Sequence, residues 1–401
     1  MDLRSHYPYW FLKNGLVNNY PSLQRNEKCD VVVIGAGISG ALVSYYLNKA
    51  GIDTVVVDKR HVGTGSTAAS TAFLQYEIDV PLIDLMEKVG EENAVSSYRL
   101  CLDAIESIAS ICKEIDGDCS FIKKPSLQYA SFKNHVIKLK EEFECRKRNG
   151  FPVHWFNEQQ VTEKYGFTKP AAIYSDAGAE VDAYKLTHSI LQHCMEHFGA
   201  RVFDKTGIKS IERSGSRFIL TTEDGLTINC KKVVIACGYE SQQYLKKKVE
   251  ILHSTYVIVS EPLTAKKLWY KDSLIWETAE PYLYVRTTGD NRIVVGGKDI
   301  PYTNADERDK QLKQKAKALE ASFKALFPSI NFKTDFSWAG TFAGTKDGLP
   351  YIGEQRLNDG IYFALGFGGN GITFSAIAGE IIRDMIVGRK NNDAHLFKFN
   401  R

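Results

Sequence analysis

Gly35, Gly37 and Gly40 fall in the run VIGAGISG (33–40), a GxGxxG spacing that can hold a phosphate against bare backbone. In that spacing Gly35 permits a tight turn and Gly37 lets the main chain approach a pyrophosphate. Gly40 lets a helix pack closely on a strand. The start of the following helix supplies free N–H groups and a partial positive charge for the phosphates. Such a site also needs an acid where the second strand ends, to accept hydrogen bonds from ribose hydroxyls. Asp58, in VVVDKR, stands there. Loop, helix and acid come in the order of a dinucleotide site, whereas a structural glycine turn accounts for the loop alone.

The next segment decides which dinucleotide. KRHVGTGSTAASTAFLQ follows Asp58, and no charged residue occurs from 62 to 76. A chain with so little side-chain bulk can pass under an extended cofactor and donate backbone N–H groups to it. A full-length FAD calls for such a segment and NAD does not, so FAD is expected. Two other features carry less. His193 and His197 lie one turn apart in HCMEH, but without the H-E-x-x-H order they read as ordinary helix histidines and no metal is expected. Cys237, before GYESQQYLKKK, reads as a structural thiol and not as a nucleophile.

The elements that must position these residues follow from periodicity. CDVVVIGAG reads as a buried strand, 41–50 as a helix and DTVVVDK as a second strand, a βαβ unit with a parallel sheet. Residues 82–115 and 135–148 read as helical, with LQYASF (127–132) as a strand. Asp182 caps a helix that stops near Gly199. Short strands follow to 238, and 251–300 is strand-rich and aromatic. A charged helix spans 306–327, and FSAIAGEIIRDMIVG closes the chain as a helix.

With 401 residues, 44% of them hydrophobic, the chain can bury a large core and divide in two. A net charge of +3 without a basic block gives no sign of nucleic acid as a partner. No stretch reaches a membrane span, the N-terminus lacks a secretory apolar core, and eight cysteines show no C-x-x-C pair. A cytoplasmic protein with free thiols is expected.

DVVVIGAGISG, VGTGSTAAS, VDAYKLTHSIL, KKVVIACGYES, WAGTFAGTKDGLPYIG and IYFALGFGGNGITFSAIAGEII together resemble the D-amino acid oxidase family of FAD-dependent oxidoreductases. That group holds glycine oxidase, sarcosine oxidase and gamma-glutamylputrescine oxidase, and HYPYW is similar to the start of the last. The resemblance implies an α/β (α+β) fold. A Rossmann-type FAD-binding domain (28–78, 155–245, 335–401) is interleaved with a smaller substrate domain on a mostly antiparallel sheet (79–154, 246–334). Residues 1–27 form an N-terminal extension.

It also implies roles. Gly35, Gly37, Ile38, Ser39, Gly40, Asp58, Lys59 and Arg60 would serve the pyrophosphate and adenosine end. Gly65, Ser66, Thr67, Ala68, Ala69 and Ser70 would lie under the flavin, and Ile208 would bracket the adenine. Cys237 and Gly238 would continue the channel. Gly344, Gly366, Gly368, Gly369, Asn370, Gly371, Ile372 and Thr373 would wrap the isoalloxazine. The expected pocket is Tyr256, Tyr282, Tyr284 and Arg286 with Phe342, Phe367 and Asn370. The tyrosines read equally well as sheet packing, and Arg286 equally well as a salt-bridged sheet residue.

The departures bear on substrate. Where glycine oxidase-like members carry two arginines that grip a carboxylate, this chain has Phe342 and Gly369. The flavin-bonding cysteine of sarcosine oxidase-like members falls at Gly340, so non-covalent FAD is expected, and their oxygen-activating lysine falls near Val294. The reading is oxidation of a small-molecule amine at a C–N bond to an imine, with electrons passed to O2 or another acceptor. No acid–base residue is assigned. A flavin 2-hydroxy acid or amino acid oxidoreductase, with Arg286 as its only available clamp, is the alternative enzyme. A flavin-binding subunit or sensor without turnover is a third reading.

Overall fold

Four consecutive apolar residues make β1 (Val31–Ile34), buried on both faces, as a central parallel strand requires. Gly35 breaks the strand and α1 (Ile38–Lys49) follows, then β2 (Thr54–Val57). The helix begins three residues before its expected start, because Gly37 caps it and Thr67 Oγ1 accepts the Ile38 N–H at 3.0 Å. Much later come α2 (Ala183–Phe198), β3 (Arg201–Phe203), β4 (Lys232–Ile235), β5 (Tyr351–Glu354), β6 (Ile361–Leu365) and α3 (Gly371–Ile386). Asp182 caps α2, its Oδ1 accepting the Tyr184 and Lys185 N–H groups. The sheet order is β3–β2–β1–β4–β6–β5, parallel except for β5. This computed structural model describes residues 2–115, 117–264, 268–302, 304–355 and 359–401.

A second sheet has eight strands in the order 334–344, 251–260, 293–301, 283–287, 274–277, 126–129, 171–175 and 153–157. Its neighbours are antiparallel except Leu274–Glu277 with Ser126–Tyr129. The strands at 171–175 and 334–344 join this sheet, although their sequence ranges were expected on the cofactor side. Residues 334–344 pair along nearly their whole length with 251–260, and that pairing decides their place. Helix Ala305–Leu326 covers one face, burying Leu319 and Phe323 against Phe332 and Ile258. The other face turns toward the cofactor sheet. All eight cysteines are free. Among the described residues no helix is long and apolar enough to cross a membrane.

Candidate active site

One continuous cavity of about 700 Å³ runs from the end of β2 to the aromatic strands of the second sheet. Its first arm is made of backbone. Gly35 has φ +109°, and a Cβ there would stand 2.5 Å from the Ala236 carbonyl oxygen. A Cβ on Gly40 would overlap the Gly35 carbonyl oxygen. Gly40 is therefore a packing residue beneath the loop and does not itself line the cavity. Asp58 accepts the Ala36 N–H through Oδ2 and the Arg60 N–H through Oδ1, both at 2.8 Å. Burial raises its carboxyl, and those two bonds oppose the shift. Lys59 and Arg60 line the arm while pairing with Glu240 at 2.8 and 2.7 Å. Burial alone would raise the Glu240 carboxyl, yet Arg60 and Lys59 outweigh it and hold it at about 2.

The small-residue segment forms one helical turn, Ser66–Ala69, against this arm. Two indoles hold it: Trp338 Nε1 donates to the Ala69 carbonyl at 2.9 Å and Trp10 Nε1 to that of Ser70 at 2.7 Å. Arg4 Nε donates to the Thr64 carbonyl at 2.7 Å. Gly65, Ser66, Thr67, Ala69 and Ser70 line the cavity, as do Ile208, Cys237 and Gly238, while Ala68 is turned into the core. Burial pushes the Cys237 thiol up to about 12, which leaves it a poor nucleophile.

At the other end, Gly366 to Ile372 line the cavity and α3 begins at Gly371, three residues before its expected start. Asn370 Nδ2 donates to the carbonyls of Gln75 and Glu77 at 3.0 and 2.9 Å. Thr373 and Gly344 lie outside the lining; Thr373 Oγ1 instead donates to the Asn370 carbonyl. Tyr282, Tyr284, Phe342 and Phe367 line this end, and Phe342 stacks on His253 with centroids 5.3 Å apart.

Two expected pocket residues are elsewhere. Tyr256 is fully buried under helix 305–326, its hydroxyl donating to the Arg308 carbonyl. Side chains alternate along a strand, and Thr255 takes the cavity face there. Arg286 is buried, donating to the carbonyls of Thr71, Ala72 and Val181 and pairing with Glu180 at 3.3 Å. It shares a face with Tyr284 but lies farther along the strand, where residues 71–72 cover it. It is a strut beneath the cofactor segment.

The sequence reading took FLQ (73–75) only as the end of the small-residue run and assigned no role to YEID (76–79). Phe73, Gln75, Glu77 and Asp79 line the cavity, joined by Ile78, while Leu74 and Tyr76 are buried in the core. That period of two, running on from the small-residue run, was the available signal. Asp79 is open to the cavity interior and enclosed by protein beyond it. Its Oδ2 accepts the Gly369 N–H at 2.7 Å, and burial raises its carboxyl. Every described lysine or arginine lining the cavity has a carboxylate partner within 2.8 Å. Lys59 and Arg60 pair with Glu240, Lys138 with Asp84, and Arg146 with Glu142.

A cradle that tolerates no Cβ, a ribose-end acid and a long cavity over a small-residue turn fit a dinucleotide bound in extended form. The profile of a family described as "FAD dependent oxidoreductase" matches residues 30–385. Over 383 residues the chain is 25% identical to a glycine oxidase of Bacillus subtilis (strain 168), covering 93% of this chain and 97% of that one. Over 399 residues it is 25% identical to a gamma-glutamylputrescine oxidoreductase of Escherichia coli (strain K12), covering 92% and 86%. The crystal structure of glycine oxidase from Geobacillus kaustophilus superposes with a TM-score of 0.77 at 20% identity, covering 91% of this chain and 96% of that one.

Proposed function

The chain belongs to the family of FAD-dependent oxidoreductases, and from that premise we propose that it oxidises an amine lacking an α-carboxylate at a C–N bond. One observation carries the reading: the cavity presents no unpaired guanidinium or ammonium among its described lining residues. Arg286 is spent on backbone carbonyls and Glu180, and Arg146 on Glu142. A carboxylate brought into such a site would lose its water and gain no charge-assisted bond.

FAD, when bound, supplies the acceptor for the hydride that leaves the substrate carbon. Gly35 to Ser39 and Asp58 would hold its pyrophosphate and ribose, the turn at 65–70 would lie beneath it, and 366–372 would close around it. With Gly340 offering no thiol and the Cys237 thiol kept protonated, we take the attachment as non-covalent. The substrate loses hydride from carbon and a proton from nitrogen to give an imine, which water hydrolyses to a carbonyl compound and an amine. Phe73, Tyr282, Tyr284, Phe342 and Phe367 exclude water and orient the alkyl part.

The test is an anaerobic titration of the yellow holoenzyme with amines, α-amino acids and 2-hydroxy acids, read as loss of flavin absorbance. Bleaching by carboxylate-free amines is the expected result. Bleaching by amino or hydroxy acids alone overturns the reading. No bleaching by any of them leaves a flavin-binding protein without its own turnover.

A further inference from the structure

Where the resemblance to glycine oxidase-like members implies an arginine, this structure places a carboxyl group. Gly369 occupies that position, and the Asp79 carboxylate lies against it. A Cβ on Gly369 would stand 2.6 Å from Asp79 Oδ1, and one on Gly368 would overlap Oδ2. Both glycines are needed for the carboxylate to be there.

Two further acids have buried oxygens outside hydrogen-bond geometry. Glu77 lines the same cavity with its side chain only 2% exposed; its Oε1 accepts the Ser126 hydroxyl at 3.1 Å and pairs with buried Arg146 at 3.5 Å, while its Oε2 is buried without a hydrogen-bond partner. Asp299 stands behind Tyr282 and Thr255, both oxygens buried and neither in hydrogen-bond geometry, although those two hydroxyls lie close enough to favour its ionised form. Burial, with a smaller contribution from Asp79, pushes the Asp299 carboxyl up to about 6. Resident cations offset these acids only in part, Arg146 beside Glu77 and Lys315 near Asp299, and a further cation brought to Asp79 would favour the ionised form of the group. The walls around them suit a cation as well: Phe73 meets Tyr284 edge-on at 5.3 Å, Tyr282 lies 5.7 Å from Tyr284, and aromatic faces attract ammonium groups.

We infer that Asp79, with Glu77 beside it and Asp299 behind it, binds a second, non-reacting positive charge of the substrate, so that diamines and other dications are preferred over monoamines. The inference rests on the amine reading above and names its substrate class. The bound charge must be the non-reacting one. A carboxylate beside the reacting nitrogen would keep it protonated, and hydride leaves only when that nitrogen has its lone pair.

The experiment uses the holoenzyme without oxygen and compares 1,4-diaminobutane with 1-aminobutane. The diamine should half-saturate flavin reduction at a concentration lower by roughly tenfold or more. In Asp79→Asn that advantage should shrink by about tenfold, with the limiting reduction rate changing far less. Hexamethonium, a bis-quaternary ion with no nitrogen lone pair to oxidise, supplies a binding readout free of turnover. Calorimetry should show it binding wild type more tightly than tetramethylammonium does, and D79N should remove the difference. If D79N fails to retain FAD, Asp299→Asn takes its place with the same readouts.

Equal half-saturation by the two amines, or a D79N rate loss shared equally by both, overturns the inference. The second result would put Asp79 at the reacting nitrogen. If no amine reduces the flavin while hexamethonium still binds in an Asp79-dependent way, amine oxidation falls and the dication site stands.

Discussion

The cavity is built of two materials. Its arm at the end of β2 is mainly backbone: the turn at Gly35, the N-terminus of α1, and the single turn 66–69 pressed against it. Its other end is lined by side chains from separated stretches, among them 73–79, 276–284, Phe342, Phe367 and Asn370. The first kind of surface is fixed by which residues lack a Cβ, and it suits a ligand that does not vary. The second is fixed by what each side chain carries, so a change of one residue can invert the charge without disturbing the scaffold. Asp79, held by the Gly369 N–H, is such a side chain.

If the two ends differ in this way, substitutions should fail differently. The largest effect belongs to Gly40→Val. Its Cβ overlaps the Gly35 carbonyl, a backbone atom with nowhere to go. The protein should lose about 3 kcal/mol or more of stability and be isolated colourless, read by thermal unfolding and flavin absorbance. A yellow G40V protein would mean that the arm deforms more easily than a backbone cradle should.

The next effect is at the other end. Phe342→Arg combined with Asp79→Asn adds a guanidinium and removes the carboxylate that would claim it. Reduction by α-amino acids should rise about 100-fold in kcat/KM over wild type, the worth of a charge-assisted pair of hydrogen bonds. Absence of any gain would show that more than local charge separates this pocket from those of carboxylate-binding relatives.

The same contrast explains what could be read from the sequence. The glycine loop, the acid at the end of β2 and the small-residue turn were legible as local features because each depends on spacing within one short stretch. Trp338, Trp10 and Arg4, which steady that turn, come from the far ends of the chain, and no local pattern announces them. Tyr256 and Arg286 each allowed two readings, pocket residue or packed and salt-bridged sheet residue, and strand identity alone could not choose between them. The face of Tyr256 depends on which neighbour turns toward the cavity, and Arg286 is decided by the loop that lies over it. Asp79 is the opposite case. Its alternating pattern was visible, but its meaning appears only when Gly369, far along the chain, lies beside it.

A third effect is pH-dependent. Glu250 is buried, and neither of its oxygens meets hydrogen-bond geometry, though the Gly366 N–H lies close enough to oppose the shift. Burial pushes its carboxyl from 4.5 up to about 8. Below 4.5 it is protonated folded or unfolded; between 4.5 and about 8 the folded state binds the extra proton, so stability falls as pH rises across that window. Glu250→Gln should flatten that fall and gain on the order of 2–3 kcal/mol near the top of the window, read by denaturant unfolding at a series of pH values. An unchanged slope would locate the pH response in another group.

The smallest effect returns to the arm at the end of β2 and asks whether its backbone needs support. Trp10→Phe keeps an aromatic ring packed on Tyr9 and Arg286 but removes the Nε1 donor to the Ser70 carbonyl. Trp338→Phe does the same at Ala69. Each lost bond is worth about 1 kcal/mol, so FAD should bind roughly fivefold more weakly in either variant, measured by titrating apoprotein with FAD. Because the two indoles grip adjacent carbonyls of one turn, the double variant should lose more or less than the product of the two. Wild-type affinity in both single variants would mean that the turn keeps its shape unaided and that the indoles only fill space.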